Sequence, residues 1–133
     1  MTSEASYGMT RNLGAVGIEE AVERTTAALK TEGFGVLTDI DVQATLKKKI
    51  DVDFRPYRIL GACNPPLAHH ALSTEPLIGL LLPCNVVVMA EDDGTATVSI
   101  INPREMFKVA DSTELAATAG EVEEKLARAL ASI

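Results

Sequence analysis

The chain holds only two cysteines in 133 residues, too few to cross-link a small fold, so disulfide scaffolds are excluded and each thiol is expected free in a reducing compartment. Long apolar runs are missing as well. Stretches such as Ile78 to Leu82 fall far short of the roughly 20 residues that cross a bilayer, so no membrane span is expected. Basic charge is scarce: 12 Lys and Arg stand against 19 Asp and Glu, a formal net charge of -7 that repels phosphate backbones and anionic lipid. Neither a nucleic acid nor a membrane is an expected partner. The one basic run, Lys47 to Lys49, reads as the solvated side of a short amphipathic helix. The opening MTSEASYGMTRNL lacks a basic n-region and an apolar h-region, so no secretory leader is read there and a cytoplasmic location is expected.

Catalytic signatures are absent too. No G-x-S-x-G, no GK[ST] phosphate loop and no G-x-G-x-x-G occur, and GFG at Gly33 to Gly35 reads as a helix stop entering a strand. No residue set commits the chain to a reaction, and no cofactor is named by its sequence.

What is present is regular patterning over an apolar content of 47%, which suits a single globular domain spanning residues 1–133. A first strand is expected around Tyr7 to Leu13. From Gly17 to Glu32, Ile18, Val22, Thr25 and Leu29 fall on one helical stripe, with acids toward its start and Gly33 as its stop. Phe34, Val36, Thr38 and Ile40 alternate as a strand, and Asp41 is placed to cap a short helix through Val42, Leu46 and Ile50. The segment YRILGACN reads as a strand, and Asn64 followed by Pro65 as the start of a helix with Leu67, Ala68, Ala71 and Leu72 on its apolar side. CNVVVMAE, the turn Asp92-Asp93-Gly94 and alternating Ala96, Val98 and Ile100 read as a β-hairpin. A short turn of helix follows Asn102-Pro103. A second long helix is expected from Asp111, with Asp111 and Glu114 at capping-box spacing and Leu115, Val122, Leu126 and Ile133 as its buried stripe.

Strands that no long helix separates pair as an antiparallel meander, and both long helices need one apolar sheet face to cover. The expected class is α+β: an antiparallel sheet of about five strands with two long helices on one face, in β-α-β-β-β-β-α order with short helices in the connections. The opposite face, with Val87 and Met89 beside Asn85 and Glu91, fits either a dimer through the sheet or a partly solvated surface.

One stretch concentrates the chemistry. LGACNPPLAHHALSTEPLIGLLLPCNVV carries both cysteines, both histidines and four of the six prolines. If its strands pair as a hairpin, Cys63 and Cys84 reach the same end of the sheet, with Asn64 and Asn85 beside them and the connection between them folded over that end. Three chemistries suit it: a small-ligand site using Cys63, Asn64, Cys84, Asn85, Tyr57 and His69, a thiol redox or sulfur-handling pair, or a soft-metal site. Helical geometry turns His69 and His70 outward on separate flanks and no zinc spacing occurs, so no metal ligands are assigned. The plain alternative is two structural thiols in a tight corner, within a protein whose role is structural interaction. Asp39 with Asp41, and Arg55 with Arg58, read as a cap and surface charges sooner than as an acid-base pair or an anion site.

The blocks EGFGVLTDIDVQATLKKKI, DFRPYRILGACNPPLAHHAL and IGLLLPCNVVV closely resemble those of the domain-of-unknown-function family 302, and the similarity spans almost the whole chain. The resemblance implies a two-helix, antiparallel-sheet fold similar to the TATA-binding-protein class, and homodimers. It brings no activity with it, and the fold label carries no inference of DNA binding.

Overall fold

The computed structural model describes residues 4–133; Met1 to Ser3, where the segment read for a leader begins, lie outside the described residues. Five strands form one sheet: β1 (Gly8–Asn12), β2 (Gly35–Asp41), β3 (Tyr57–Cys63), β4 (Cys84–Ala90) and β5 (Ala96–Ile101). Their spatial order is β1-β5-β4-β3-β2 with every neighbouring pair antiparallel. Strands β2 to β5 are thus the expected meander, and β1 returns to close the far edge beside β5.

Two long helices, α1 (Ile18–Thr31) and α5 (Thr113–Ser132), cover one face, with shorter α2 (Val42–Ile50), α3 (Pro65–Thr74) and α4 (Pro103–Phe107) in the connections. Strand parity decides what they bury. Leu60 and Ala62 on β3, Val86 and Val88 on β4, and Ala96, Val98 and Ile100 on β5 all point to that face and are 0 or 1% exposed. Ala21, Val22 and Leu29 of α1 and Val122, Leu126 and Ala129 of α5 close over them in one cluster. At about 25 cal/mol per Å² of apolar surface, this layer supplies most of the hydrophobic drive to fold.

Local signals set the element ends. Gly33, at φ 83°, takes the left-handed turn after α1, and the amides of Gly33 and Phe34 donate to the carbonyls of Lys30 and Leu29. That turn drops Phe34 into the core at 2% exposure. Asp41 caps α2 by accepting from the Ala44 amide at 2.9 Å, and Asn64 caps α3 by accepting from the Leu67 amide at 3.3 Å, both as expected.

The start of α5 departs from expectation. Ser112 is the cap, its Oγ accepting from the Leu115 amide, while Asp111 sits one residue earlier with φ 48°. Asp111 ends the preceding 3₁₀ turn, Lys108–Ala110, and its left-handed backbone cannot begin a helix. Glu114 accepts from the Thr74 hydroxyl instead of closing a capping box. The stripe of α5 also differs at its end, where Ile133 is only half-buried and Thr118, Ala119 and Ala129 are buried.

The outer face of the sheet is less solvated than its alternation suggests. Glu91 is 8% and Thr97 3% exposed, joined by a 2.6 Å bond from the Thr97 hydroxyl to Glu91 Oε2, with Arg55 Nη1 3.5 Å from the same carboxylate. Arg55 is therefore a partner for a buried acid. Ile40, Ile59 and Val87 stand side by side across β2, β3 and β4 on this face.

Candidate functional site

The chain between β3 and β4 never makes a tight turn. It climbs through α3, passes a 3₁₀ segment, Pro76–Leu81, and re-enters the sheet at Cys84. Proline punctuates both ends: Pro65 and Pro66 open α3, and Pro76 opens the 3₁₀ segment. Short elements broken this way cover the end of the sheet without filling it. Beneath them lies a cavity of about 340 Å³.

Its walls come from three sources. The sheet supplies Ala62, Cys63 and Cys84; the β2 edge supplies Leu37 and Thr38; and the connection supplies Asn64, Leu67, Ala68, Ala71, Leu72, Gly79, Leu82 and Pro83. Phe34 and Val122 form the floor from the core side. The whole apolar stripe read on α3 therefore faces this space. A bulge in β2 between Val36 and Thr38 gives Leu37 its place at the rim, where it is 68% exposed.

Both cysteines border this cavity but are not equivalent. Register sets Cys84 opposite Ala62, while Cys63 lies one residue further along β3, opposite Gly35. They are free, Cys63 half-buried and Cys84 6% exposed. Burial, and secondly the neighbouring Cys63, push the Cys84 thiol up to about 11. At neutral pH it is a protonated, weakly nucleophilic SH group, which weighs against a redox pair.

Asn64 borders the cavity with its amide engaged: Oδ1 caps α3 and Nδ2 donates to the Glu32 carbonyl at 3.4 Å, tying the start of α3 to the end of α1. Three other residues named from sequence lie elsewhere. Tyr57 begins β3 at the far end, with its ring 6.0 Å from that of Phe54. Asn85 alternates onto the outer face opposite Gly61 and is exposed. His69 is exposed, as is His70, on the side of α3 away from its apolar stripe. Among the described residues no group of three or more His, Cys, Asp or Glu side chains is placed to hold a metal ion.

Sequence reasoning missed Phe34, Leu37, Thr38 and Val122 as walls. The β2 bulge hid Leu37 and Thr38, since strict alternation assigns them to opposite faces; Phe34 and Val122 carried a core signal and nothing more.

Asp39 and Asp41 separate as well. Asp41 is the α2 cap, whereas Asp39 receives Arg58 in a two-pronged bond, Nε at 2.8 Å and Nη2 at 2.5 Å, while Arg58 Nη1 reaches Glu19 at 2.7 Å. The Arg58 guanidinium holds the Asp39 carboxyl below its ordinary range. Both are structural groups, and neither faces the cavity.

The family model described as "Domain of unknown function DUF302" matches residues 9–133. A solved structure described as "Crystal structure of uncharacterized conserved protein DUF302 from Bacillus stearothermophilus" is 34% identical, covers 96% of this chain and 98% of its own, and superposes with a TM-score of 0.87. No curated protein matches the chain. Its match to the family over nearly the full length, together with that structural likeness, makes the chain a member of the DUF302 family.

Proposed function

We propose that the protein is a small single-domain cytoplasmic module, active as a homodimer, that holds a small ligand at the Cys63 and Cys84 end of its sheet. One observation carries this reading. About 340 Å³ of space lies open beside a core that elsewhere leaves side chains at 0% exposure, and a void of that size is large enough for a metabolite. Structural thiols in a tight corner would need no such space. Cys63, Asn64 and Cys84 remain in the proposed site; Tyr57, Asn85 and His69 are removed from it. The homodimer draws support from the family resemblance and from the row of Ile40, Ile59 and Val87 on the outer face. Among the described residues no helix is long and apolar enough to cross a membrane.

Alkylation of the half-buried Cys63 tests the site directly. A compound from a metabolite panel that raises the melting temperature is expected to slow the reaction of Cys63 with iodoacetamide. It should do neither in Ala68→Trp, where the indole occupies the space. Stabilising compounds that leave Cys63 alkylation unchanged would place binding elsewhere and end the reading.

A further inference from the structure

We propose that this cavity selects an uncharged, hydrocarbon-rich molecule and rejects carboxylates, phosphates and ammonium groups of matching size. The inference rests on the reading of the cavity as a ligand site and names the chemistry that site would accept.

The walls carry no charge. None of the lining residues is Asp, Glu, Lys, Arg or His, in a chain where 31 of 133 residues are Asp, Glu, Lys or Arg. Of the charged side chains close to wall residues in sequence, Asp39 is held by Arg58, Glu123 by Arg104 at 3.0 Å and Glu32 by Arg128 at 2.9 Å. The Glu32 backbone carbonyl is taken by Asn64. The remaining polar wall groups are few. Both hydrogen-bonding ends of the Asn64 side chain are engaged in holding α3, the Cys84 thiol stays protonated at neutral pH, and the Thr38 hydroxyl lies at the exposed β2 edge.

Among the described residues, no buried side-chain nitrogen or oxygen is left without a hydrogen-bond partner, so none waits for a polar ligand to satisfy it. An ion entering such a space would lose its hydration and find nothing in return. A hydrocarbon would lose only unfavourable contact with water, and would gain Phe34, Leu67, Leu72 and Leu82 as neighbours.

The test uses the full chain and the neutral dye N-phenyl-1-naphthylamine, whose fluorescence rises in apolar surroundings. Decanol, decanoate and decylammonium then compete at pH 7, below their micellar concentrations. Decanol is expected to displace the dye at concentrations at least about tenfold lower than either ion, because each ion must shed its hydration unpaired. Octanol should be weaker than decanol by about fourfold per methylene lost, the factor that burial of one CH₂ gives.

Ala68→Trp should weaken every competitor. Leu72→Lys, a change at a wall position of α3 that is 41% exposed, should shift the preference toward decanoate. A carboxylate or ammonium that matches decanol on the unaltered protein overturns the selectivity. Decanol inert toward the dye, while some charged compound protects Cys63 from alkylation, overturns it too and leaves the site standing. If no compound moves either the dye or Cys63, the cavity is not a ligand site and both readings fall.

Discussion

The layer between the sheet and its two long helices, and the corner where α3 folds over the sheet end, are packed in opposite ways. In the first, Leu29, Leu60, Val86, Val98, Ile100 and Leu126 are all at 0% exposure. In the second, Leu72 at the cavity wall is 41% exposed, and Leu77 and Leu80 further along the same connection are 72 and 83% exposed. Apolar content does not explain the contrast, since PLIGLLL is as hydrophobic as any strand. Periodicity does. Long helices and paired strands repeat one face over many residues and so interlock, whereas the segments cut by Pro65, Pro76 and Pro83 bury single side chains, Ala71 and Ile78 against Phe107 and Leu115, and turn before a longer face can be matched. The protein thus has a rigid, closely packed half and a more loosely filled corner that leaves a cavity of about 340 Å³.

Truncating one leucine in each region would break this comparison most sharply. Leu60→Ala should cost about 3 kcal/mol, within the range for a buried leucine whose site collapses only in part. Leu80→Ala should stay within about 0.5 kcal/mol, as for exposed positions generally. Urea unfolding of the two variants against the parent measures both. Equal losses would mean that the corner is as well packed as the centre.

A smaller effect is expected at the seam between the regions. Gly61 lies on β3 with its missing side chain facing the outer surface, where an added Cβ would run into the Thr38 hydroxyl and come within 2.8 Å of Pro83 Cγ. The connection is drawn down onto the sheet at this point, and only glycine admits the approach. Gly61→Ala should cost about 1–3 kcal/mol through overpacking. Adding Thr38→Ala, which removes the nearer obstacle, should restore part of that, a coupling that a double-mutant cycle in urea reads. Simple additivity would mean that the two residues do not meet.

The same division governs what the sequence revealed. Helical stripes and strand alternation marked the sheet, both long helices and the caps at Asp41 and Asn64, because each signal repeats or is fixed by one local hydrogen bond. The stripe Leu67, Ala68, Ala71 and Leu72 was legible for the same reason, and it became a cavity wall. Where the chain departs from regularity the reading failed. Asp111 was mistaken for a cap because spacing does not report a left-handed backbone. Leu37 and Thr38 were missed because one bulge shifts the parity of β2. Asn85 was grouped with Cys84 by adjacency, although neighbouring strand residues face opposite ways. Tyr57 was grouped with Cys63 although a strand of seven residues separates its ends by roughly 20 Å.

The smallest effect concerns the edge of the rigid half, where Arg58 joins Asp39 of β2 to Glu19 of α1. Folding lowers the Asp39 pKa, chiefly through its bond to Arg58, so the native state favours the ionised carboxyl more than the unfolded chain does. The resulting stability is present in full above the unfolded value near 4 and is lost as pH falls through the lowered native value. The Asp39 side chain is 36% exposed, so solvent screening holds the contribution to about 1 kcal/mol or less. Asp39→Asn should therefore be less stable than the parent by up to that amount at pH 7, and the two unfolding curves should draw together as the pH is lowered toward about 2. A gap that persists undiminished in acid would trace the loss to packing at the β2 edge rather than to charge, and the rigid half would then owe nothing to this ion pair.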